Sequence, residues 1–241
     1  MRDKAMIRNA KNFFNESERK GVEEAIHSAE SRTSGEIVLM IADESALYRE
    51  AAMLGSVVFG VFSALLAEMF IRSVMLHEAF WSDGASGFIL QLLTASATQV
   101  SVWTFIPSLT LFYYVWKYIL IKLPGIKLLF VSRARLAEAV REGAVRAFYE
   151  KGLYRTRDET GILIYISLRE RRVWILGDRG INEKIPAGFW DSLSEEISSG
   201  IREGRASGVI TSVIEKCGAE LARHFPRKAD DTDELDNRVT Y

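Results

Sequence analysis

Asp43, Asp158 and Asp178 stand where this sequence places the ends of β-strands. Asp43 and Glu44 close the apolar run Glu36-Ile-Val-Leu-Met-Ile-Ala42. Asp158 and Glu159 precede Gly161-Ile-Leu-Ile-Tyr-Ile-Ser167, and Asp178 follows Arg172-Val-Trp-Ile-Leu-Gly177. Strand ends of α/β sheets are the usual place for a ligand. Calcium and magnesium take carboxylate and carbonyl oxygens, and such an ion polarises a phosphoryl oxygen and activates water. Asp43, Asp158 and Asp178 are therefore candidate metal ligands, with Asn182 and Glu183 in the next loop. The three converge if the first and third strands run parallel, because a second strand antiparallel to the third brings Asp158 to the same edge. The plain alternative is that these acids solvate loops and cap helices. Arg179, in Gly177-Asp-Arg-Gly180, is either an anion contact or an ordinary surface arginine.

Other chemistries find less in the sequence. His27, His77 and His224 are far apart and suggest no triad or zinc set. His224 reads as a helix C-terminal residue favoured by the dipole. The single Cys217 excludes an internal disulfide and falls on a helix face with Val213 and Leu221, as a buried inert thiol would. Gly177-Asp-Arg-Gly180 lacks the lysine and spacing of a phosphate loop. The acids Asp230, Asp231, Asp233, Glu234 and Asp236 lack the glycine and terminal glutamate of a calcium loop. The formal net charge of −1 over 241 residues gives no basic field for nucleic acid. No apolar h-region follows Met1-Arg-Asp-Lys, so no cleavable signal peptide is expected.

The elements that must position these residues are legible from pattern. Asn15 can cap a helix, with Glu18 at the capping-box position, and Val22, Ala25, Ile26 and Ala29 recur at helical spacing. A second helix should run from Ser132 to about Lys151, with Leu136, Val140, Ala144, Ala147 and Phe148 on one face and Gly152 ending it. The turn Leu168-Arg-Glu-Arg171 joins the last two strands as a hairpin. Pro186 opens a helix over about Ala187 to Glu203, and another spans Ala206 to His224, stopped by Pro226. This order predicts an α/β fold, a mixed-sheet three-layer αβα domain with helices on both faces.

Between its halves lies an apolar island. Ala51 to Ala67 and Gly84 to Trp116 contain no charged residue, and about 20 apolar residues cross a bilayer core. One span should run from Arg49 or Glu50 to about Phe70, and another from roughly Ala97 to Leu120. Gly84–Ser96 is either an interfacial helix or a tilted start of the second span. Pro107 removes a backbone bond from it. Glu68 and Arg72 are spaced to pair on one face, as an interfacial ion pair or as a buried functional one. Ser56, Gly60 and Ala64, four apart, let a second helix approach closely, within the hairpin or in a dimer. Trp116, Tyr113, Tyr114 and Tyr118 suggest an aromatic belt at one end and Trp81 one at the other. Arg32 and Arg49 precede the spans, and Lys117, Lys122, Lys127, Arg133 and Arg135 follow them. Cationic flanks favour the cytoplasm, so both termini should be cytoplasmic and the connector holding Arg72, His77, Glu78 and Asp83 should face outward. A soluble protein with a buried apolar core is the competing reading. The expected division is 1–48 and 124–226 for the folded domain, 49–123 for the hairpin, and 227–241 for a mobile acidic tail.

Thr160-Gly-Ile-Leu-Ile-Tyr-Ile-Ser167 followed by Arg171-Arg-Val-Trp-Ile-Leu-Gly-Asp-Arg-Gly-Ile181 resembles the paired strands of the TPM domain. Ile201-Arg-Glu-Gly-Arg205, Ile214-Glu-Lys-Cys-Gly218 and Leu221-Ala-Arg-His-Phe-Pro226 resemble a bacterial branch with a transmembrane hairpin inside the domain. The resemblance covers about 13–50 and 130–226. It implies a role in assembling or maintaining a membrane complex. It also implies a rival, because a plant member is associated with acid phosphatase activity and divalent metal sites have been described in the fold. Two function classes are thus expected. One is a membrane-tethered interaction module of the bacterial inner membrane, with the bilayer and a membrane protein as partners, and with homo-oligomers possible. The other is a phosphatase at the cytoplasmic surface assisted by calcium or magnesium.

Overall fold

A computed structural model describes residues 9–95, 102–186, 188–227 and 239–241, with backbone alone at 72, 75–95, 102 and 124. The helices and strands in chain order are α1 (Glu16–Glu30), β1 (Glu36–Ala42), α2 (Arg49–Ala95), α3 (Val102–Lys122), α4 (Pro124–Lys127), α5 (Arg133–Glu150), β2 (Gly161–Ser167), β3 (Arg172–Gly177), α6 (Arg179–Asn182), α7 (Phe189–Arg202) and α8 (Ala206–His224). They divide into two compact units. One comprises Met1–Leu47 with Arg133–Tyr241, and the other Tyr48–Ser132.

The first unit is built on a three-stranded sheet of order β1-β2-β3. β1 runs parallel to β2, with Glu36 opposite Gly161 and Ala42 opposite Ser167. β2 runs antiparallel to β3, with Ile162 opposite Gly177 and Ser167 opposite Arg172. Every residue of β2 is buried, which is why this strand reads as a continuous apolar run rather than an alternation. Successive side chains point to opposite faces. Ile37, Leu39, Ile41, Ile162, Ile164, Ile166, Val173 and Ile175 pack against α1, α7 and α8. Val38, Leu163 and Tyr165 meet Val140, Ala144, Ala147 and Phe148 of α5. Helices therefore cover both faces, and the α/β architecture is the one the pattern predicts.

Local chemistry fixes the ends of the elements. The Asn15 side chain accepts from the Glu18 N–H at 2.8 Å, and a Glu18 carboxylate oxygen accepts from the Asn15 N–H at 2.9 Å, a complete capping box. Gly152 ends the α5 segment in the left-handed region, at φ 75°. A left-handed Gly188 caps α7, so that helix begins two residues later than Pro186 suggests; Ala187 lies outside the described residues.

The C-terminus departs from expectation. The acids of 230–236 lie outside the described residues. The last three residues, however, lie along the free edge of β1. Thr240 N–H donates to Leu39 O at 3.0 Å, Ile41 N–H donates to Thr240 O at 2.9 Å, and Val239 is buried in the main core. An apolar Val beside a β-branched Thr suffices to extend a sheet edge, which outweighs the acidic composition that suggested a wholly mobile tail.

The second unit holds α2 and α3. Two stretches, Arg49–Ile71 and Trp103–Lys122, are long and apolar enough to cross a membrane. Residues 72–83, read as a polar connector, are helical and continuous with the rest of α2 through Ala95. Helix-forming residues such as Met75, Leu76, Glu78 and Ala79 offer no breaker there, and no glycine or proline interrupts 61–83. The backbone of 84–95 likewise belongs to α2, not to a separate or second-span segment. Residues 97–101, the expected start of the second span, lie outside the described residues, as do the side chains of Arg72, His77 and Trp81. Pro107 sits inside α3.

Ser56 and Ala64 are fully buried. A Cβ on Gly60 would lie 3.3 Å from the Tyr113 N and Cα. The stripe therefore faces α3, with the two backbones in close approach. Polar bonds cross the same seam. Thr104 Oγ1 donates to Glu68 Oε2 at 2.7 Å, and Trp116 Nε1 donates to Ser63 Oγ at 3.0 Å. The Trp116 ring stacks on Phe59 with centroids 4.6 Å apart, so this tryptophan turns to α2 rather than joining an outward belt. Tyr114 and Tyr118 remain exposed.

Candidate functional site

The strand directions split the predicted metal ligands. β1 is parallel to β2 and not to β3, so Asp43 follows β1 at the end where β2 gives way to the hairpin turn. Asp158 and Asp178 flank the opposite end, about 20 Å away for strands of this length. The expectation that all three share an edge is thereby corrected. It assumed that the first and third strands are co-directional, whereas the parallel pair is β1–β2 and β3 runs against both. Among the described residues no three His, Cys, Asp or Glu side chains gather as a metal cluster.

Each acid has local work. Asp43 Oδ1 accepts from the Ala10 N–H at 2.7 Å. Asp178 caps α6, its Oδ1 accepting from the Arg179 N–H at 2.7 Å. The backbone at Gly180 lies so close to Asp158 and Glu159 that a Cβ there would stand 2.8 and 2.9 Å from their carbonyl oxygens. Glu159 itself has φ 54°, the left-handed region that non-glycine residues seldom occupy. The Asp178 Oδ2 is shut off from solvent and has no hydrogen-bond partner. Asp158 and Asp178 thus border one oxygen-rich corner. Asn182 closes that corner, donating from Nδ2 to Gly177 O at 2.6 Å and accepting from Trp190 Nε1 at 3.0 Å. Arg179 and Glu183 pair at 3.0 Å on the exposed surface, so the arginine's charge is engaged by a neighbour on its own turn.

At the other end lies a buried polar cluster that the sequence pattern does not reveal. Glu170, in the β2–β3 turn, is buried. Its Oε1 accepts from the Ser45 N–H at 3.0 Å, and its Oε2 accepts from the Ser167 hydroxyl. Tyr165 OH reaches Ser45 Oγ at 3.3 Å. Gly143 of α5 leaves room for that phenol, since a Cβ there would stand 2.8 Å from it. Burial pushes the Tyr165 phenol above its ordinary pKa. Two backbone bonds complete the grip: Leu168 N–H donates to Ala42 O at 3.0 Å and Arg169 N–H to Asp43 O at 3.1 Å. Arg169 also pairs with Glu44 at 3.3 Å. The hairpin turn therefore clamps residues 42–45, just after β1 and four residues before α2 begins at Arg49. Ser167 is 1% exposed, so its hydroxyl serves the clamp and cannot meet a substrate. The only sequence signal was a glutamate inside a turn that otherwise reads as a solvated charge run.

The remaining candidates are structural. Cys217 is fully buried, and desolvation raises its pKa to about 12, which keeps it a thiol. His224 sits in the last turn of α8, 3.2 Å from Glu220.

Comparisons with known proteins agree with this frame. The TPM domain model matches residues 124–220, a stretch that holds α5, β2, β3, α6, α7 and most of α8; it does not extend to 13–50. No curated protein matches the chain. Among solved structures, the BA42 protein of the psychrophilic bacterium Bizionia argentinensis is similar, with a TM-score of 0.51 and 20% identity over 95% of this chain and 94% of that one. At that identity the likeness speaks for the fold alone. The sequence match to the TPM domain is confined to residues 124–220; α1 and β1, outside it, belong to the same sheet and core.

Proposed function

We propose that this chain is a membrane-anchored TPM-domain protein whose folded unit acts as a non-catalytic interaction module, assisting the assembly or maintenance of a membrane complex. The observation that carries the anchoring is the surface of the second unit. Only 28% of the apolar stretch within Arg49–Ile71 is buried, and 6% of that within Trp103–Lys122. Met69, Phe70, Trp103 and Leu111 are 67, 70, 90 and 62% exposed. The core helix of a soluble protein hides such side chains; a contiguous exposed apolar surface on paired helices matches lipid. Arg49 before the first stretch and Lys117, Lys122 and Lys127 at the end of the second lie where the chain joins the first unit in sequence, which supports cytoplasmic termini; a bacterial inner-membrane location is what the resemblance implies. The module reading is supported by the first unit's polar groups, which at Glu170, Ser167 and Tyr165 are spent on internal bonds.

The rival reading, a phosphatase assisted by calcium or magnesium, keeps one observation in its favour: the unpartnered Asp178 Oδ2 at the corner bordered by the Asp158 and Glu159 carbonyls. With Asp43 at the far end, the three acids do not fit one ion. Purified protein with calcium or magnesium, assayed on a phosphate ester beside the Asp158→Asn/Asp178→Asn variant, separates the two. The module reading expects no turnover in either protein, and a defined partner captured by crosslinking in native membranes. Turnover abolished by the double substitution would replace it with the enzyme.

A further inference from the structure

The two edges of the sheet are treated differently. The β1 edge is closed by the chain's own Thr240. β3 is the outer strand on the other side. Its hydrogen-bonding parity follows from one bond, Asp178 N–H to Gly161 O at 2.8 Å. In an antiparallel pair the residues that exchange both bonds alternate, so 172, 174 and 176 bond inward to β2, and 173, 175 and 177 point outward. The Gly177 carbonyl is taken by Asn182. Among the described residues no strand pairs with the outward N–H and C=O groups of Val173 and Ile175.

Val173 and Ile175 line a groove of about 130 Å³ with Arg172 and Trp174, bordered by Ala137 and Val140 of α5 on one side and by Asp191 and Ser194 of α7 on the other. Arg172 turns toward the start of α5, where it donates to Arg133 O at 3.5 Å, which leaves the α7 side to the charge of Asp191. We propose that the β3 edge is a docking site for an extended segment of a partner protein. That segment adds as a fourth strand, with small apolar side chains toward α5 and cationic or hydroxyl side chains toward α7. Main-chain bonds to a free edge supply affinity and alternate side-chain positions supply specificity. The inference rests on the interaction-module reading and names its surface.

The lining selects the occupant. Val173 and Ile175 belong to the α7 face of the sheet, and Trp174 packs on the α5 face. In a second copy paired antiparallel about Trp174, Val173 and Ile175 of that copy would face Asp191 and Ser194, and the two Trp174 rings would meet over Ala137 and Val140. An apolar face against a carboxylate is a mismatch, whereas a lysine or serine there is complementary. Asp191 is exposed and makes no ion pair among the described residues, so its charge is available to an incoming cation.

The test uses the full chain in lipid nanodiscs and two decapeptides, one alternating valine with lysine and serine, the other alternating valine with glutamate and serine. The proposal expects saturable binding of the lysine peptide, with protection of the Val173 and Ile175 amides from hydrogen exchange. Asp191→Lys should weaken that peptide about tenfold and reverse the preference toward glutamate. Asp191 is exposed in the first turn of α7, where a lysine opposes the helix dipole by about 0.3–1 kcal/mol, so the variant should fold with a slightly lowered melting temperature. Asp191→Asn, which weakens the lysine peptide without reversing the preference, is the control. Equal affinity for both peptides, or protection elsewhere, overturns the proposal. So does concentration-dependent protection of Val173 and Ile175 without peptide, which would assign the edge to a second copy. If Asp191→Lys still captures the native partner by crosslinking, the β3 site falls while the module reading stands; if the wild type captures none, the module reading itself falls.

Discussion

Replacing Glu170 by alanine should unlock the clamp that holds the end of β1. The carboxylate accepts from the Ser45 N–H and from the Ser167 hydroxyl, and both partners are buried, at 7% and 1% exposure. A hydrogen bond to a charged acceptor is worth about 1.5–3 kcal/mol, and a buried donor left unpaired costs about 1–3 kcal/mol. Removing the acceptor from two donors therefore costs about 3–6 kcal/mol, reduced to about 2–4 kcal/mol because a buried charge leaves as well. For a unit of this size each kcal/mol is about 2–4 °C in melting temperature, so Glu170→Ala should lower it by roughly 5–15 °C. Glu170→Gln is the sharper comparison. Its carbonyl oxygen can keep the Ser45 N–H while its amide donates to the rotatable Ser167 hydroxyl, and the loss should stay under about 1.5 kcal/mol. Thermal unfolding of the detergent-solubilised chain, followed by near-ultraviolet circular dichroism, reads both variants. An alanine variant within about 0.5 kcal/mol of wild type would show that the cluster is solvated in solution and the clamp reasoning is wrong.

Four further outcomes follow from the same geometry. Gly60→Ile should force α2 and α3 apart at Tyr113 and cost about 1–3 kcal/mol, seen as a lower melting temperature and a loss of disulfide crosslinking between cysteines placed across the seam. Gly21→Ala should stabilise by about 0.5–1 kcal/mol, because nothing lies within 4 Å of its Cβ position in α1. Deleting Val239–Tyr241 should cost about 1–3 kcal/mol, by removing two backbone bonds to β1 and the buried Val239, and should speed amide exchange at Ile41. Cys217 should resist maleimide in the folded state at pH 8. Its folded pKa of about 12 exceeds the ordinary 9.0, so the thiol's contribution to stability is full below pH 9 and is lost as pH rises toward 12. The loss should be no steeper than about 1.4 kcal/mol per pH unit, and a Cys217→Ala variant should lack that slope.

What the sequence reveals here is what periodicity and capping encode. Asn15 with Glu18, the apolar spacing of α5, and the two runs that become β2 and β3 place their elements to within one or two residues, because local interactions decide them. Strand direction is another matter. Whether Asp43 meets Asp178 depends on how β1 pairs, and no local residue records that; the parallel β1–β2 ladder is a choice made by the whole core. Burial of Glu170 escapes for the same reason, since its partner Ser45 lies 125 residues away. Residues 72–83 mislead in the opposite direction: their charges suggest a loop, yet charged residues such as glutamate are also good helix formers, and nothing between them breaks the backbone pattern.

Above all, the second unit should lie in lipid. Membranes from cells expressing the full chain, washed with alkaline carbonate and centrifuged, test this most directly. The chain should stay in the pellet, and a variant with charged residues at Val57, Phe62, Leu66 and Leu111, all exposed on α2 and α3, should move toward the supernatant. A full chain recovered in the supernatant, monodisperse without detergent, would contradict the account.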